Sequence, residues 1–421
     1  MSEQQVRTEE DPTGEVLELA TRAGHILLEN GAEISRVEET MERISTHLNV
    51  DHKSFFVLSN GIFTTGRHFA EVEYIPFKGT QLDKVVEVNQ LSRDIEAGKL
   101  DLHQASQRMD QISRLPGKPF WEQLLGASVG SAGFCIIFGG SLFDAAVSFI
   151  AGLLLYFFIL TVGARHMTKL FCNICGGAVA SLVCLLCYQA GLGDNLSHMI
   201  IGAIIPLIPG VSFTNGIRDI AGEDYIAGTT RLLDALMVFF SIALGVSLVL
   251  LIDGRIQGAM LSLHPSVSDP LTSNFFIQLL SAFVGTLGFA VLFGVPRRHY
   301  LLCGITATAG WAVYLVMLRH GGATVVGASA LATVAVALVS QYLAVIRHCP
   351  VTVFLICGIF PLIPGAGIYW TTGYIVSNQL RAALESGFTA LKITVALILG
   401  IILVTELTAL FYRKKRNRSV I

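Results

Sequence analysis

Charge is scarce in this chain and unevenly spread. Only 14% of the 421 residues are Asp, Glu, Lys or Arg. From Pro119 onward just 16 Lys/Arg and 11 Asp/Glu remain, whereas the stretch before it carries 13 Lys/Arg and 20 Asp/Glu. Such a deficit excludes a water-exposed body for the second part and agrees with a mean hydropathy of +0.62. No basic patch marks a nucleic-acid partner. Also missing is a positively charged start ahead of an apolar run with a small-residue cleavage site, so no signal peptide is expected and the N-terminal part is placed in the cytoplasm. The cysteines form no framework. Cys172-x-x-Cys175 and Cys184-x-x-Cys187 imitate a four-thiolate zinc pattern, but on one helix the pairs stand about 18 Å apart, at about 1.5 Å for each of twelve residues. That is too far for one tetrahedral ion, so no metal and no cofactor are expected.

Long apolar runs are what the second part has instead. A bilayer core of about 30 Å needs about 20 apolar residues per helix. Ten segments qualify, near 121–140, 142–163, 169–192, 198–217, 232–252, 275–294, 299–318, 322–345, 350–370 and 388–412. With the N-terminus inside, Arg165, Lys169, Arg218, Arg231, Arg297, Arg298, Arg347 and the tail Arg413, Lys414, Lys415, Arg416 and Arg418 fall on the cytoplasmic side. Arg255, Arg319, Arg381 and Lys392 fall outside. The positive-inside rule then puts both termini in the cytoplasm.

The second half repeats the first at an offset of 155 residues. The run Ala127-Ser-Val-Gly-Ser-Ala-Gly-Phe134 lies over Ala282-Phe-Val-Gly-Thr-Leu-Gly-Phe289, and Pro206-Leu-Ile-Pro-Gly210 lies over Pro361-Leu-Ile-Pro-Gly365. Five spans per unit is an odd number, so the second unit enters the membrane from the opposite side, as inverted repeats do. Pro206 and Pro209, like Pro361 and Pro364, should break their helices in mid-membrane. Broken backbone at that depth has to be buried in protein or to line a cavity. A site for a small carboxylate solute is expected between the breaks, from the half-helix N-termini and from Pro206, Pro209, Gly210, Ser212, Thr214, Asn215, Pro361, Pro364, Gly365, Tyr369, Thr371 and Thr372. Kinks that only shape helix packing are the alternative.

Ionisable groups within apolar spans need work or a partner. Glu406, about two helical turns before Arg413, reads either as a proton-coupling carboxylate or as an interfacial acid; Asp144 and Asp234, nearer span ends, are further candidates. The charged stretch R218-D-I-A-G-E-D-Y-I-A-G-T-T-R231, led by Arg218 and Asp219, reads as a gating connection or as an ordinary polar loop.

The first 118 residues read as a small α+β domain. Val16, Leu19, Ala23, Ile26 and Leu27 make a helical stripe ending near Asn30-Gly31. A second helix presents Val37, Met41, Ile44 and Leu48, with Ser35 and Glu38 as a capping box. S54-F-F-V-L-S-N-G-I-F-T-T65 predicts a hairpin on an Asn-Gly turn, followed by a strand near 71–77 and helices near 81–96 and 100–114. His25, Glu33, Arg36 and Glu38 are read as residues of solvated helix faces, and no enzyme activity is expected.

With G31-A-E-I-S-R-V-E38, N60-G-I-F-T-T65, and the duplicated P-L-I-P-G followed at its first copy by G216-I-R-D219 and Gly222, the chain resembles the threonine/serine exporter family from about residue 14 to 412. The resemblance implies a cytoplasmic N-terminal domain, ten spans and efflux of small hydroxy amino acids driven by the proton-motive force. It also implies a relation to two-protein forms associated with dicarboxylate export, especially succinate. Glu33 stands where the pattern has a smaller residue, and amino acid and dicarboxylate both stay open as cargo. The expected architecture is therefore an all-α polytopic membrane protein of ten transmembrane helices in two inverted five-helix repeats (119–270 and 271–421), with an N-terminal α+β cytoplasmic domain (1–118). Its expected setting is a bacterial inner membrane, as an antiporter whose partners are a small-molecule substrate, protons and the lipid bilayer, with a homo-oligomer admissible.

Overall fold

The computed structural model describes residues 12–67, 69–76, 79–163, 166–254 and 274–418. Arg165 and Arg255 lie outside the described residues, as do the side chains of the basic tail from Arg413 to Arg418.

Helices α1 (Pro12–Glu29) and α2 (Ile34–His47) precede a meander of β1 (Lys53–Leu58), β2 (Gly61–Gly66) and β3 (Ala70–Tyr74), followed by α3 (Leu82–Glu96) and α4 (Leu102–Ser113). The strands are antiparallel in the order β1-β2-β3. The stripe read from the sequence is the buried face of α1. It packs on the inner face of the sheet, where the Thr21 and Thr64 hydroxyls share a 2.8 Å hydrogen bond. Two local expectations fail. Leu58 pairs with Gly61, so Ser59 and Asn60 form the hairpin tip and Gly61 opens β2. Among the described residues neither Ser59 nor Asn60 has the positive φ of the turn that Asn-Gly favours. Nor do Ser35 and Glu38 cap α2: the helix begins two residues earlier than that cap would start it, with Glu33 at the N-cap position making no side-chain cap. Glu38 instead accepts the Val57 N–H at 3.4 Å.

The remaining helices are α5 (Phe120–Ile137), α6 (Leu142–Phe158), α7 (Lys169–Gln189), α8 (Leu196–Ile204), α9 (Gly210–Ala221), α10 (Tyr225–Asp253), α11 (Phe275–Leu292), α12 (Tyr300–Arg319), α13 (Val325–Arg347), α14 (Thr352–Ile359), α15 (Gly365–Val376) and α16 (Leu380–Arg418). Among the described residues eight helices are long and apolar enough to cross a membrane, or up to ten if each of two bent pairs counts as one span. The bent pairs are α8 with α9, at 67°, and α14 with α15, at 46°.

Both bends fall on the P-L-I-P-G runs, and the two prolines of each run act differently. Pro206 and Pro361 lie in short 3-10 turns, Ile205–Leu207 and Phe360–Leu362, where proline at the first positions is tolerated. The break comes one residue later. Ile208 (φ −63°, ψ 126°) and Ile363 (φ −61°, ψ 128°) are extended, because Pro209 and Pro364 exclude the residue before them from the helical region.

Helix α5 meets α11 through small residues, as close helix packing in a membrane favours. A Cβ on Gly133 would lie 2.7 Å from the Gly285 Cα, and one on Gly288 would lie 2.7 Å from the Gly130 nitrogen. Phe134 and Phe289, which superpose under the offset of 155, stack edge to face at 5.2 Å. The stretch from Arg218 to Arg231 is not a loop. Only Gly222, Glu223 and Asp224 separate α9 from α10, and the two helices close tightly because Gly216 and Gly228 each meet the other's carbonyl.

Candidate functional site

Each proline-terminated break faces the other. A Cβ on Gly210 would enter the ring of Phe360, and a Cβ on Gly365 would lie 2.7 Å from Ile208 Cδ1. The contact is reciprocal, since Gly210 also lies within van der Waals reach of Ile363, the counterpart of Ile208. Phe360 is held at this crossing by the rings of Phe134, Phe289 and Phe293. Following α9 from Gly210 to Arg218 corresponds to following α14 backward from Phe360 to Thr352, whose hydroxyl receives Arg218 Nη1 at 2.7 Å. Helices α9 and α14 therefore run antiparallel, with the second break buried and the first partly buried in protein.

About 12 Å from the breaks, at about 1.5 Å per residue, the far end of α9 holds a buried polar network built around the turn that joins α1 to α2. Gly31, at φ 88°, turns the chain in the left-handed region that glycine adopts without a Cβ penalty. Four consecutive residues of this turn are then each anchored. The Gly31 carbonyl accepts from Asn215 Nδ2 at 2.7 Å, and the Ala32 carbonyl from Arg231 Nη2 at 3.0 Å. Glu33 Oε2 accepts from Arg218 Nη1 at 2.7 Å and from the Thr352 hydroxyl at 2.6 Å. The Ile34 N–H donates to Asp219 Oδ1 at 3.2 Å. Arg231 closes the circuit on Asp219 Oδ2 at 2.8 Å. Asn215, Arg218 and Asp219 can converge because the spacings i, i+3 and i+4 share one helix face.

Glu33 is only 2% exposed. Burial by itself would raise its carboxyl, but Arg218, Arg36 and the Thr352 hydroxyl outweigh it and hold the group below its ordinary value of 4.5. A depressed folded-state value means the contribution of Glu33 to stability is fully present above about 4.5 and is lost as the pH falls through the folded value. The difference in thermal unfolding between wild type and Glu33→Gln in detergent should accordingly be constant from pH 8 to 5 and shrink below 4.5. A difference that grows on acidification would contradict this assignment. Comparing the pair cancels the titration of groups that do not sense the Glu33 charge.

The residues expected at the breaks are partly assembled. Thr214 Oγ1 and Asn215 Oδ1 are buried without a hydrogen-bond partner, and Tyr369 and Thr372 are buried on α15. Thr371 and Thr372 donate their hydroxyls to the carbonyls of Gly367 and Ile368. Ser212 is half-buried. The three candidate acids are not gathered there. Asp144 belongs to a capping box with Ser141 and also receives the Asp194 and Asn195 N–H groups at 2.7 and 2.9 Å, so it ties down the 194–195 loop. Asp234 pairs with Lys169 at 2.6 Å. Glu406 lies exposed on α16.

Glu33 is not a residue of a solvated face, as the helical pattern suggests, but a member of the buried network; half-buried Arg36 flanks it at 3.6 Å and pairs with exposed Glu39. Thr352 and Arg231 belong to it too; nothing in the sequence marks Thr352, and Arg231 stands out there only as the end of the charged stretch. The usable signal was that G31-A-E-I-S-R-V-E38 and G216-I-R-D219 each stand out as a motif; the structure lays one upon the other.

Comparison with known proteins agrees along nearly the whole chain. Residues 18–252 match the family described as "Putative threonine/serine exporter" and residues 278–407 the family described as "Threonine/Serine exporter, ThrE". The chain is 25% identical over 409 residues to a threonine/serine exporter of Corynebacterium glutamicum, covering 94% of this chain and 83% of that one. It is 23% identical over 416 residues to a protein of Mycobacterium tuberculosis named "Probable threonine/serine exporter", covering 94% and 77%. It is also 23% identical over 283 residues to pheromone-regulated membrane protein 10 of Yarrowia lipolytica, covering 63% and 23%. No solved structure matches it. A chain with apolar helices of spanning length, two proline-broken helix pairs and this continuous match belongs to the threonine/serine exporter family, a family of membrane exporters and not of enzymes.

Proposed function

We propose that this protein exports threonine and serine across a bacterial cytoplasmic membrane, driven by the proton-motive force. The molecule has ten spans in two inverted five-helix repeats, 119–270 and 271–421, with residues 1–118 and both termini in the cytoplasm and the cargo bound between the broken helices. The observation that carries this reading is the reciprocal packing of the two breaks, Gly210 on Phe360 and Gly365 on Ile208. Helices α9 and α15 begin at these breaks, so their first-turn N–H groups and positive dipole ends lie where a cargo carboxylate would pass. Ser212, Thr214 and Asn215 on one side, and Tyr369, Thr371 and Thr372 on the other, supply hydroxyl, amide and phenol groups for a small polar solute. Arg218 and Asp219 gate the cytoplasmic end. Proton coupling falls to Glu406, the one of the three candidate acids with neither an ion pair nor a capping role among the described residues.

The test is flux from proteoliposomes loaded with labelled threonine. A saturable efflux that rises with an imposed pH gradient is expected, and Glu406→Gln should flatten its pH dependence. Absence of gradient-dependent flux would remove the reading. Competition by succinate and not by serine would reassign the cargo to a dicarboxylate.

A further inference from the structure

The turn Gly31–Ile34 is held by five side chains of the membrane helices and presents one carboxylate to them. We propose that Glu33 is a built-in substitute for the cargo's carboxylate: Arg218 and Thr352 form a carboxylate-binding site that the N-terminal turn occupies, and a free amino acid opens it by taking Glu33's place. This rests on the exporter reading.

Three observations support it. The first is where the two donors come from. Arg218 lies eight residues after the break at Gly210, and Thr352 lies eight residues before Phe360, so each bent pair contributes one donor at the same depth. A carboxylate entering from the cytoplasmic end along α9 meets these two groups together before it reaches the breaks. The second is the bonding at Glu33. Oε2 takes both a guanidinium N–H and a hydroxyl, at 2.7 and 2.6 Å, which are charge-assisted lengths that any carboxylate of the right reach reproduces. The remaining oxygen has Arg36 at 3.6 Å, and the carboxylate also bonds the Glu33 backbone, both partners belonging to the turn and its own helix. No bond from the membrane helices is therefore particular to glutamate. The third is an unfilled acceptor. Asn215, one helical turn before Arg218, gives its Nδ2 to Gly31 and keeps Oδ1 buried and unpartnered, and the neighbouring Thr214 hydroxyl is likewise buried and unpartnered. An α-ammonium group carries the N–H donors that this oxygen and hydroxyl lack. An α-amino acid therefore matches the groups better than Glu33 does: carboxylate to Arg218 and Thr352, ammonium to Asn215 and Thr214.

Displacement also frees the Ile34 N–H from Asp219 and the Ala32 carbonyl from Arg231, so the turn is released as a unit. In the docked state it competes with cargo, and apparent affinity falls by the fraction of molecules in which the site is open. The N-terminal domain is then an autoinhibitory latch keyed by one carboxylate.

The test is amide hydrogen exchange at residues 31–36 of the full-length protein in detergent, with and without L-threonine, L-serine, succinate or L-threoninamide, together with threonine titration of wild type and Glu33→Gln. Threonine should accelerate exchange at Ile34, and threoninamide, which lacks the carboxylate, should not. Glu33→Gln should exchange fast without ligand and bind threonine about tenfold more tightly. Acceleration by succinate alone would retain the latch and overturn the amino-acid reading of the cargo. If threonine is bound or transported while Ile34 stays protected and the Glu33→Gln affinity is unchanged, the latch is wrong and the exporter reading stands. Protection unchanged by every carboxylate would also overturn the latch.

Discussion

Replacing Arg231 with Met should cost the folded protein about 3–5 kcal/mol, the usual penalty for removing one partner of a buried ion pair. Asp219 is 3% exposed, and its Oδ2 has Arg231 as its nearest cation, at 2.8 Å. Without the guanidinium, a carboxylate would remain desolvated with the Ile34 N–H at 3.2 Å, and the Ala32 carbonyl would lose its 3.0 Å donor. The expected readout is a fall in the thermal unfolding midpoint in detergent, together with faster proteolysis between α1 and α2 as the turn loosens. The double variant Asp219→Asn with Arg231→Met discriminates the cause. It removes the stranded charge and should recover most of the loss, a coupling that two independent packing defects would not produce. If the double variant is as unstable as the sum of the singles, the ion pair is not what holds this end of α9.

Gly210→Ala and Gly365→Ala pose a sharper contest between two effects. In the first turn of a helix, exchanging Gly for Ala gains up to about 1 kcal/mol of helix propensity. At these two positions the new methyl meets Phe360 or Ile208 at the crossing of the breaks, and overpacking a filled core costs about 1–3 kcal/mol. Phe360 cannot yield cheaply, because Phe134, Phe289 and Phe293 surround it. Packing should win, so each variant should be less stable than wild type and should lose transport by at least about tenfold as the breaks separate, a factor worth about 1.4 kcal/mol. Shortening the obstructing ring with Phe360→Leu should partly rescue Gly210→Ala and leave Gly365→Ala unaided. A stabilised Gly210→Ala would mean that the two breaks do not bear on each other.

Much of this architecture was legible because its causes are local. The apolar length of each span, the stripe on α1 and the breaks at P-L-I-P-G need no knowledge of distant residues. Even so, local patterns misassigned some roles. Ser35 and Glu38 have capping-box spacing, yet α2 starts two residues earlier than that box would place it and its N-cap residue sends its carboxylate to another helix. The charges from Arg218 to Arg231 read as a loop, because their density is unusual for a membrane helix until Asp219 and Arg231 are seen to neutralise each other twelve residues apart. Asp144 reads as an intramembrane acid, but its Oδ1 is taken by backbone N–H groups of a loop 50 residues away and its Oδ2 by the Ser141 N–H. The candidate site was legible by halves. The face shared by Asn215, Arg218 and Asp219 follows from helical spacing, and the distinctiveness of residues 31–38 was visible as a motif.

By itself the sequence determined where helices form and where they stop, since hydrophobic length and the exclusion of helical geometry before proline act within a few residues of their cause. Only the tertiary structure decided that Glu33 meets Arg218 across 185 residues of sequence and Thr352 across 319. A carboxylate is an equally good acceptor for any guanidinium or hydroxyl. Which of them it finds is therefore set by the packing of α9, α10 and α14 around one turn and by the exclusion of water there, neither of which any stretch of sequence records.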